Sequence, residues 1–350
     1  MLTNLARKIL EKITPYTPGK PIEEVQRELG LSSAMKLASN ENPLGPSPKA
    51  LEAIRQALPN LHRYPDGSGY YLVAKLAKTL NASPEQLILG DGSDEVIIAD
   101  PTFLIYRIAA QLAQAEIRIV PMNGFRYDLA AMKKAVTPKT KLIFIANPDN
   151  PTGTYLTRAE VEAFMEGLPA RVIVFFDEAY AELVDAPDYP DTRVYLEKHP
   201  VIIARTFSKA YGLAGLRIGY GLSSAPLIEA MHRVREPFNV NSLAQAAAIG
   251  ALDDAAHLEA TRLLLRDQKK YLMNALKEFG CEVVPSATNF ILFKAGPNAG
   301  QTAEALLKRG IIVRHMKAWN LPEYIRVTIG LPHENQAFIE SLKETGRNHS

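Results

Sequence analysis

The 350-residue sequence predicts an α/β protein: a large domain on a mostly parallel sheet, then a smaller α+β C-terminal domain. Three observations predict it. Short, continuous apolar runs recur along the first two thirds of the chain. Amphipathic segments separate them. Near residue 245 this alternation gives way to a long charged helical pattern followed by further strand-like runs.

The runs are QLILG at 86–90, VIIAD at 96–100, AEIRIVPM at 115–122, KLIFIANP at 141–148, RVIVFFDE at 171–178 and VIIARTFS at 201–208. Unbroken apolar stretches of this length suit strands buried on both faces of a sheet. The helical patterns between them, such as RAEVEAFMEGLP, supply the crossovers that parallel strands require. Beyond residue 245, HLEATRLLLRDQKKYLMNALKEFG reads as one amphipathic helix, and CEVVP, NFILFKA, IIVRHM and YIRVTIG read as strands. The arm before residue 38 contains Pro15, Pro18, Gly19 and Pro21, so it is no single helix and is expected to join the smaller domain or a partner chain. The expected divisions are 1–38 for this arm and part of the small domain, 39–244 for the large domain and 245–350 for the small domain.

Composition narrows the function classes. With 47% apolar and 22% charged residues, the chain has the make-up of a globular protein able to bury a sizeable core. A net charge of +2 with dispersed Lys and Arg gives no electrostatic case for nucleic acid. A single cysteine, Cys281, excludes an internal disulfide, and no His/Cys cluster stands at metal-ligand spacing. Charges interrupt MLTNLARKILEK too often for a signal peptide, and the run from Val172 to Phe176 is too short to span a membrane. The expectation is a soluble, cytoplasmic, metal-free protein acting on small molecules.

In open α/β sheets, ligands sit beyond the carboxyl ends of the strands. Three strand ends here carry polar sequence: NPDNPTG after Ile145, DEAY after Phe176 and RTFSKAYGLAGLRIG after Ala204. In the third, Thr206, Ser208 and Arg217 surround Lys209. Hydroxyls and a guanidinium at this spacing can grip a phosphate, and burial beside a cation can keep a lysine partly deprotonated, as an imine-forming amine must be. Asp177 ends a buried strand, where an unpaired carboxylate is costly; it can pair with a protonated heterocycle or cap the next helix. Tyr180 and Asn150 can donate to a ring hydroxyl, although Asn150 also suits a proline-rich turn. GDGSDE at 90–95 follows a strand, and its amides can bind phosphate or form a simple turn.

NPDNPTG, DEAY and SKAYGLAGLRIG, in this order, resemble the fold type I, class I/II aminotransferases over nearly the whole chain. ITPYTPGKPIEEV, LASNENPLGPSP, RYPDG, PTFLIY and YIRVTIG are similar to its histidinol-phosphate aminotransferase branch in particular. The resemblance implies a homodimeric, pyridoxal 5′-phosphate-dependent transaminase of histidine biosynthesis. Such an enzyme would exchange an amino group between histidinol phosphate or imidazole-acetol phosphate and glutamate or 2-oxoglutarate. Lys209 would be the Schiff-base lysine and proton shuttle. Asp177 would pair with the pyridine nitrogen, Asn150 and Tyr180 would hold the ring hydroxyl, and Phe103 would stack on the ring. Thr206, Ser208, Arg217 and the amides of Ser93, Asp94 and Glu95 would bind the cofactor phosphate, with Tyr64 reaching it from the other subunit. Arg326, assisted by Arg314 and Tyr16, would grip the substrate phosphate. Aromatic-amino-acid aminotransferases and threonine-phosphate decarboxylase share nearly all of these motifs and stand as alternatives.

The sequence departs from the family between GDGSDE and PTF, where a full helix and the following strand are expected and only Val96 to Asp100 intervene. LILG and VIIA both read as buried parallel strands, which a crossover of about a dozen residues or more should join; five residues cannot do it, and about 15 are lacking. An inactive, dimeric binding protein that keeps the fold is the reading this shortfall favours.

Overall fold

The computed structural model describes residues 20–61, 63–83, 86–88 and 96–347. Thirteen strands occur among them: β1 (Met35–Lys36), β2 (Leu87–Ile88), β3 (Val96–Asp100), β4 (Ile117–Pro121), β5 (Leu142–Ala146), β6 (Ile173–Asp177), β7 (Val201–Thr206), β8 (Gly219–Ser223), β9 (Glu282–Val283), β10 (Phe290–Lys294), β11 (Ile311–Ile312), β12 (Arg314–His315) and β13 (Tyr324–Thr328). Seven form one sheet in the order β2-β8-β7-β6-β5-β3-β4. Within it β4, β3, β5, β6 and β7 run parallel, and β8 lies antiparallel to β7. This is the α/β architecture that the apolar runs predict.

All five residues of β5 are buried, as a central strand covered on both faces requires. Ile143, Ile145 and Phe176 are wholly enclosed, and each such side chain contributes about 1.5–3 kcal/mol through burial. The helices between strands start where the sequence supplies caps. Arg158–Met165 opens on a capping box, in which Thr157 accepts from the Glu160 amide and Glu160 accepts from the Thr157 amide.

Two corrections to the sequence reading follow from the sheet. The runs at 86–90 and 96–100 are not parallel neighbours: β2 is an edge strand antiparallel to β8, while β3 lies between β5 and β4. The reason is β8 itself. Its sequence, GYGLS, has too little apolar character to read as a strand, yet it pairs on both sides and separates β2 from the parallel set. Residues 89–95, where the missing crossover was inferred, lie outside the described residues.

The helix Ser242–Leu252 supplies the other correction. The division at 244/245 falls inside it, and Ala244, Ala247, Ala248 and Ala251 all join the core of the large sheet. Its small residues let it approach Pro48–Ala57 closely; a Cβ on Gly250 would stand 2.5 Å from the Lys49 carbonyl oxygen. A second core begins with the helix Ala255–Glu278 and centres on Leu272, Leu276, Phe290, Phe293 and Phe338. There β12-β13-β10-β9 make a four-stranded sheet, and β1 pairs with β11 in a separate two-stranded sheet that ties residues 35–36 to this part of the chain.

Gly212 sets the turn after Lys209. Its φ is +69°, and a Cβ there would lie 2.2 Å from the Gly45 carbonyl oxygen. Both the left-handed backbone and the rigid obstacle oppose any side chain. Gly212→Ala is therefore expected to cost about 3 kcal/mol of stability, read as a lowered denaturant midpoint at unchanged slope. A midpoint within error of wild type would show that Gly45 can move aside.

Candidate active site

Strand register builds the site. Ala146 of β5 lies beside Asp177 of β6, and Asp177 beside Ala204 of β7, so the three polar strand ends emerge together. Between them and the second core is a cavity of about 260 Å³ whose lining includes Phe103, Asn150, Asp177, Tyr180, Lys209 and Arg326. Six of the residues singled out in the sequence thus share one enclosure.

Lys209 Nζ lies 3.2 Å from the Ser39 carbonyl oxygen and 6.0 Å from the centre of the Tyr180 ring. Burial first, and the positive charge of Arg326 second, hold its ammonium down to about 8. A lysine so tuned is a usable nucleophile near neutral pH.

Asp177 accepts from the Tyr106 hydroxyl at 2.5 Å through Oδ2 and from the Ala179 amide at 3.1 Å through Oδ1. Burial raises its proton affinity against the opposing effect of these donors. Its neighbour Glu178 is fixed by Arg205, whose Nε and Nη2 donate at 2.9 and 2.7 Å, and by the Thr192 hydroxyl. This buried pair anchors the strand end from which Asp177 projects.

Arg326 is buried, lies 5.0 Å above the Phe290 ring, and donates to Asn150 Oδ1 and, at 3.1 Å, to the Ala38 carbonyl oxygen. The Tyr180 hydroxyl accepts from Asn40 Nδ2 at 2.9 Å. Asp149 secures the loop that carries Asn150: its carboxylate accepts from Thr102 at 2.6 Å, from Tyr127 at 3.2 Å and from both the amide and hydroxyl of Thr152. Burial lifts this carboxyl to about 6.

The other predicted positions lie outside the cavity lining. Thr206 Oγ1 accepts from the Ser208 amide at 3.1 Å, which folds the two hydroxyl residues into one turn before Lys209. Arg217 is exposed, with φ of +54°, and donates to the Ala214 carbonyl oxygen at 2.8 Å. Tyr64 is 84% exposed and stacks on Phe238 at 5.0 Å. Arg314 packs over Trp319 at 5.3 Å. Ser93, Asp94, Glu95 and Tyr16 lie outside the described residues.

The sequence reading missed Asn40, Tyr106 and Trp319 as members of the site. A signal existed for Tyr106, which stands three residues after Phe103, the N-cap of the helix Leu104–Leu112, and meets it edge-on with ring centres 5.7 Å apart. Trp319 arrives from far along the chain and donates to the Thr102 carbonyl oxygen at 2.9 Å. Nothing local in its sequence announces that contact.

A lysine of lowered proton affinity and a half-buried carboxyl beyond the carboxyl ends of parallel strands, sharing one small cavity with a buried arginine of β13, suit an amine-handling enzyme. The family model described as aminotransferase class I and II matches residues 32–342. The chain belongs to that family and is an aminotransferase. Among its relatives, histidinol-phosphate aminotransferase of Moorella thermoacetica is 45% identical over a 355-residue alignment covering 97% of this chain and 92% of the relative. The enzyme of that name from Symbiobacterium thermophilum is 43% identical, covering 96% and 97%. The crystal structure of histidinol-phosphate aminotransferase from Sinorhizobium meliloti in complex with pyridoxal-5′-phosphate superposes with a TM-score of 0.90 at 29% identity, covering 99% and 98% of the two chains.

Proposed function

We propose that this chain is a pyridoxal 5′-phosphate-dependent histidinol-phosphate transaminase, working in the cytosol as a homodimer. The observation that carries the reading is that Lys209, Asp177, Phe103 and Arg326 line one cavity.

The residues fit the cofactor. Lys209 offers an amine that holds its proton less tightly than an ordinary lysine, and Asp177 is a half-buried carboxyl that a cationic partner such as a protonated pyridine nitrogen would keep charged. Phe103 supplies a flat apolar wall, while Asn150 and Tyr180 stand ready for the ring hydroxyl. Thr206, Ser208 and Arg217, at and beyond the end of β7, would bind the cofactor phosphate, to which Tyr64 would come from the partner subunit. When bound, the ring withdraws electrons from the substrate's Cα, and the remaining work falls to the protein. Lys209 carries the proton from Cα. Arg326, with Arg314 and Tyr16, holds the substrate's phosphate and fixes which face of Cα meets the lysine.

Purified enzyme supplied with the cofactor is expected to turn over histidinol phosphate with 2-oxoglutarate at a higher kcat/KM than any aromatic amino acid. It should release no carbon dioxide from threonine phosphate. The reverse ranking would assign the chain to one of those neighbouring activities, and no turnover at all would leave it a binding protein.

Arg326→Gln is expected to raise KM for histidinol phosphate about 100-fold, since a charge-assisted contact to phosphate contributes roughly 2–3 kcal/mol, while kcat falls much less. An unchanged KM would remove Arg326 from phosphate recognition.

The apo chain should also show a characteristic pH dependence. Only neutral amine attacks an aldehyde, so the rate of cofactor capture should climb with pH and reach half its plateau at about 8, where burial and Arg326 place Lys209. For the same reason the lysine's burial costs stability below that pH. Because the unfolded chain holds this proton more tightly, its contribution to stability rises as pH climbs from about 8 toward the ordinary lysine value. A capture midpoint near the free-lysine value would contradict the lowered proton affinity of this half-buried amine.

A further inference from the structure

We propose that a second cavity, between the helix Ala255–Glu278 and the loops at 183–186 and 285–287, binds a small organic carboxylate with an apolar body. The cavity measures about 680 Å³ and shares no lining residue with the enclosure around Lys209.

Its chemistry centres on Lys269. That side chain lines the cavity, and among the described residues it has no hydrogen-bond or ion-pair partner. Nearby cations are already engaged: Arg126 donates to both oxygens of Glu160 at 2.7 and 2.8 Å, and Arg262 Nε donates to the Glu182 carbonyl oxygen at 2.6 Å. Burial pushes the Lys269 ammonium down to about 8, with only the charge of Asp185 opposing it. A half-buried ammonium that lines a cavity and has no hydrogen-bonded counter-ion favours an incoming anion.

Helical spacing puts Arg266 on the same wall, three residues before Lys269; its Nε is 3.4 Å from Asp267 Oδ1, an exposed pairing that leaves the rest of the guanidinium able to meet one carboxylate together with Lys269. Leu183, Val184, Leu265 and Pro285 offer apolar surface to the rest of the ligand. Asp185 and Glu259 also line the cavity and disfavour a dianion, which argues for a monocarboxylate over inorganic phosphate. The site bears on the reaction centre through one loop, which lends Asn150 to the first cavity and Thr154 to this one. That loop is tied to the second core by the Ala287 amide, which donates to the Gly153 carbonyl oxygen at 2.7 Å.

The test uses holoenzyme whose lysines carry ¹³C-methyl groups from reductive methylation, with the Lys269 resonance assigned by its absence in Lys269→Met. Sodium benzoate should shift that resonance saturably, at least about threefold more tightly than inorganic phosphate, and Arg266→Ala should weaken the benzoate effect about threefold or more. On unmodified holoenzyme, calorimetric titration with benzoate should show a component that Lys269→Met removes and Arg326→Gln retains. A shift that merely follows ionic strength, phosphate binding as tightly as benzoate, or benzoate heat indifferent to Lys269→Met would overturn the proposal.

Discussion

Lys209→Ala is expected to lower transamination by at least about 10⁴-fold, the upper range for a positioned acid–base group, because this one amine also tethers the cofactor. No neighbour can take its place. The cation nearest in effect is Arg326, which is not deprotonated at any working pH, and the other amine of the lining belongs to Lys36, which donates to Glu41 at 2.8 Å. Activity alone would not separate a lost tether from a collapsed pocket, so two readouts are needed. Borohydride treatment of the wild-type holoenzyme should add the cofactor's mass to the chain, and the same treatment of Lys209→Ala should add nothing. Thermal unfolding of the apo variant should match or exceed that of wild type, since alanine removes a buried cation with only a carbonyl oxygen at hydrogen-bond distance. Covalent labelling that persists in the variant would move the tether to another lysine and end the assignment.

Much of this site was legible in the sequence because the parallel sheet places its functional groups at strand ends. An apolar run that stops on a polar residue marks such an end without any structure, which is how Asn150, Asp177 and Lys209 could be chosen together. What the run cannot state is which side chains cross to it from elsewhere. Asn40 reaches Tyr180 from a left-handed turn with φ of +54°, and its amide is set by Thr328 on β13. That geometry depends on the second core docking against the first, and no periodicity within residues 38–42 encodes it. The sheet order was hidden for a related reason. β8 owes its place to pairing with β2 and β7 rather than to apolar content, so its glycines disguised it and its neighbours were misplaced. Arg217 shows the limit at the level of a single residue: the motif puts it beside Lys209, while its left-handed backbone turns it toward the Ala214 carbonyl oxygen and solvent.

Asp177→Asn should be the second most damaging change, lowering kcat by roughly 10²–10³-fold with little change in KM, as loss of a charge aimed at the reacting system does. The structure supplies the reason for the magnitude. Burial raises the proton affinity of this carboxyl, and two donors, the Tyr106 hydroxyl and the Ala179 amide, oppose that rise. Tyr106 is in turn immobilised by face-to-face stacking on Phe144 at 4.6 Å. Tyr106→Phe keeps that stack and deletes only the hydroxyl, so it should cost far less, about tenfold, equal to one charge-assisted hydrogen bond of roughly 1.5 kcal/mol. The two variants separate in their pH profiles. Removing the Tyr106 donor raises the proton affinity of Asp177 further, so the acid limb of kcat should move to higher pH in Tyr106→Phe. In Asp177→Asn there is no carboxyl left to titrate, and that limb should vanish. An acid limb that survives in Asp177→Asn, or stays in place in Tyr106→Phe, would assign it to some other group and leave Asp177 a structural end to β6.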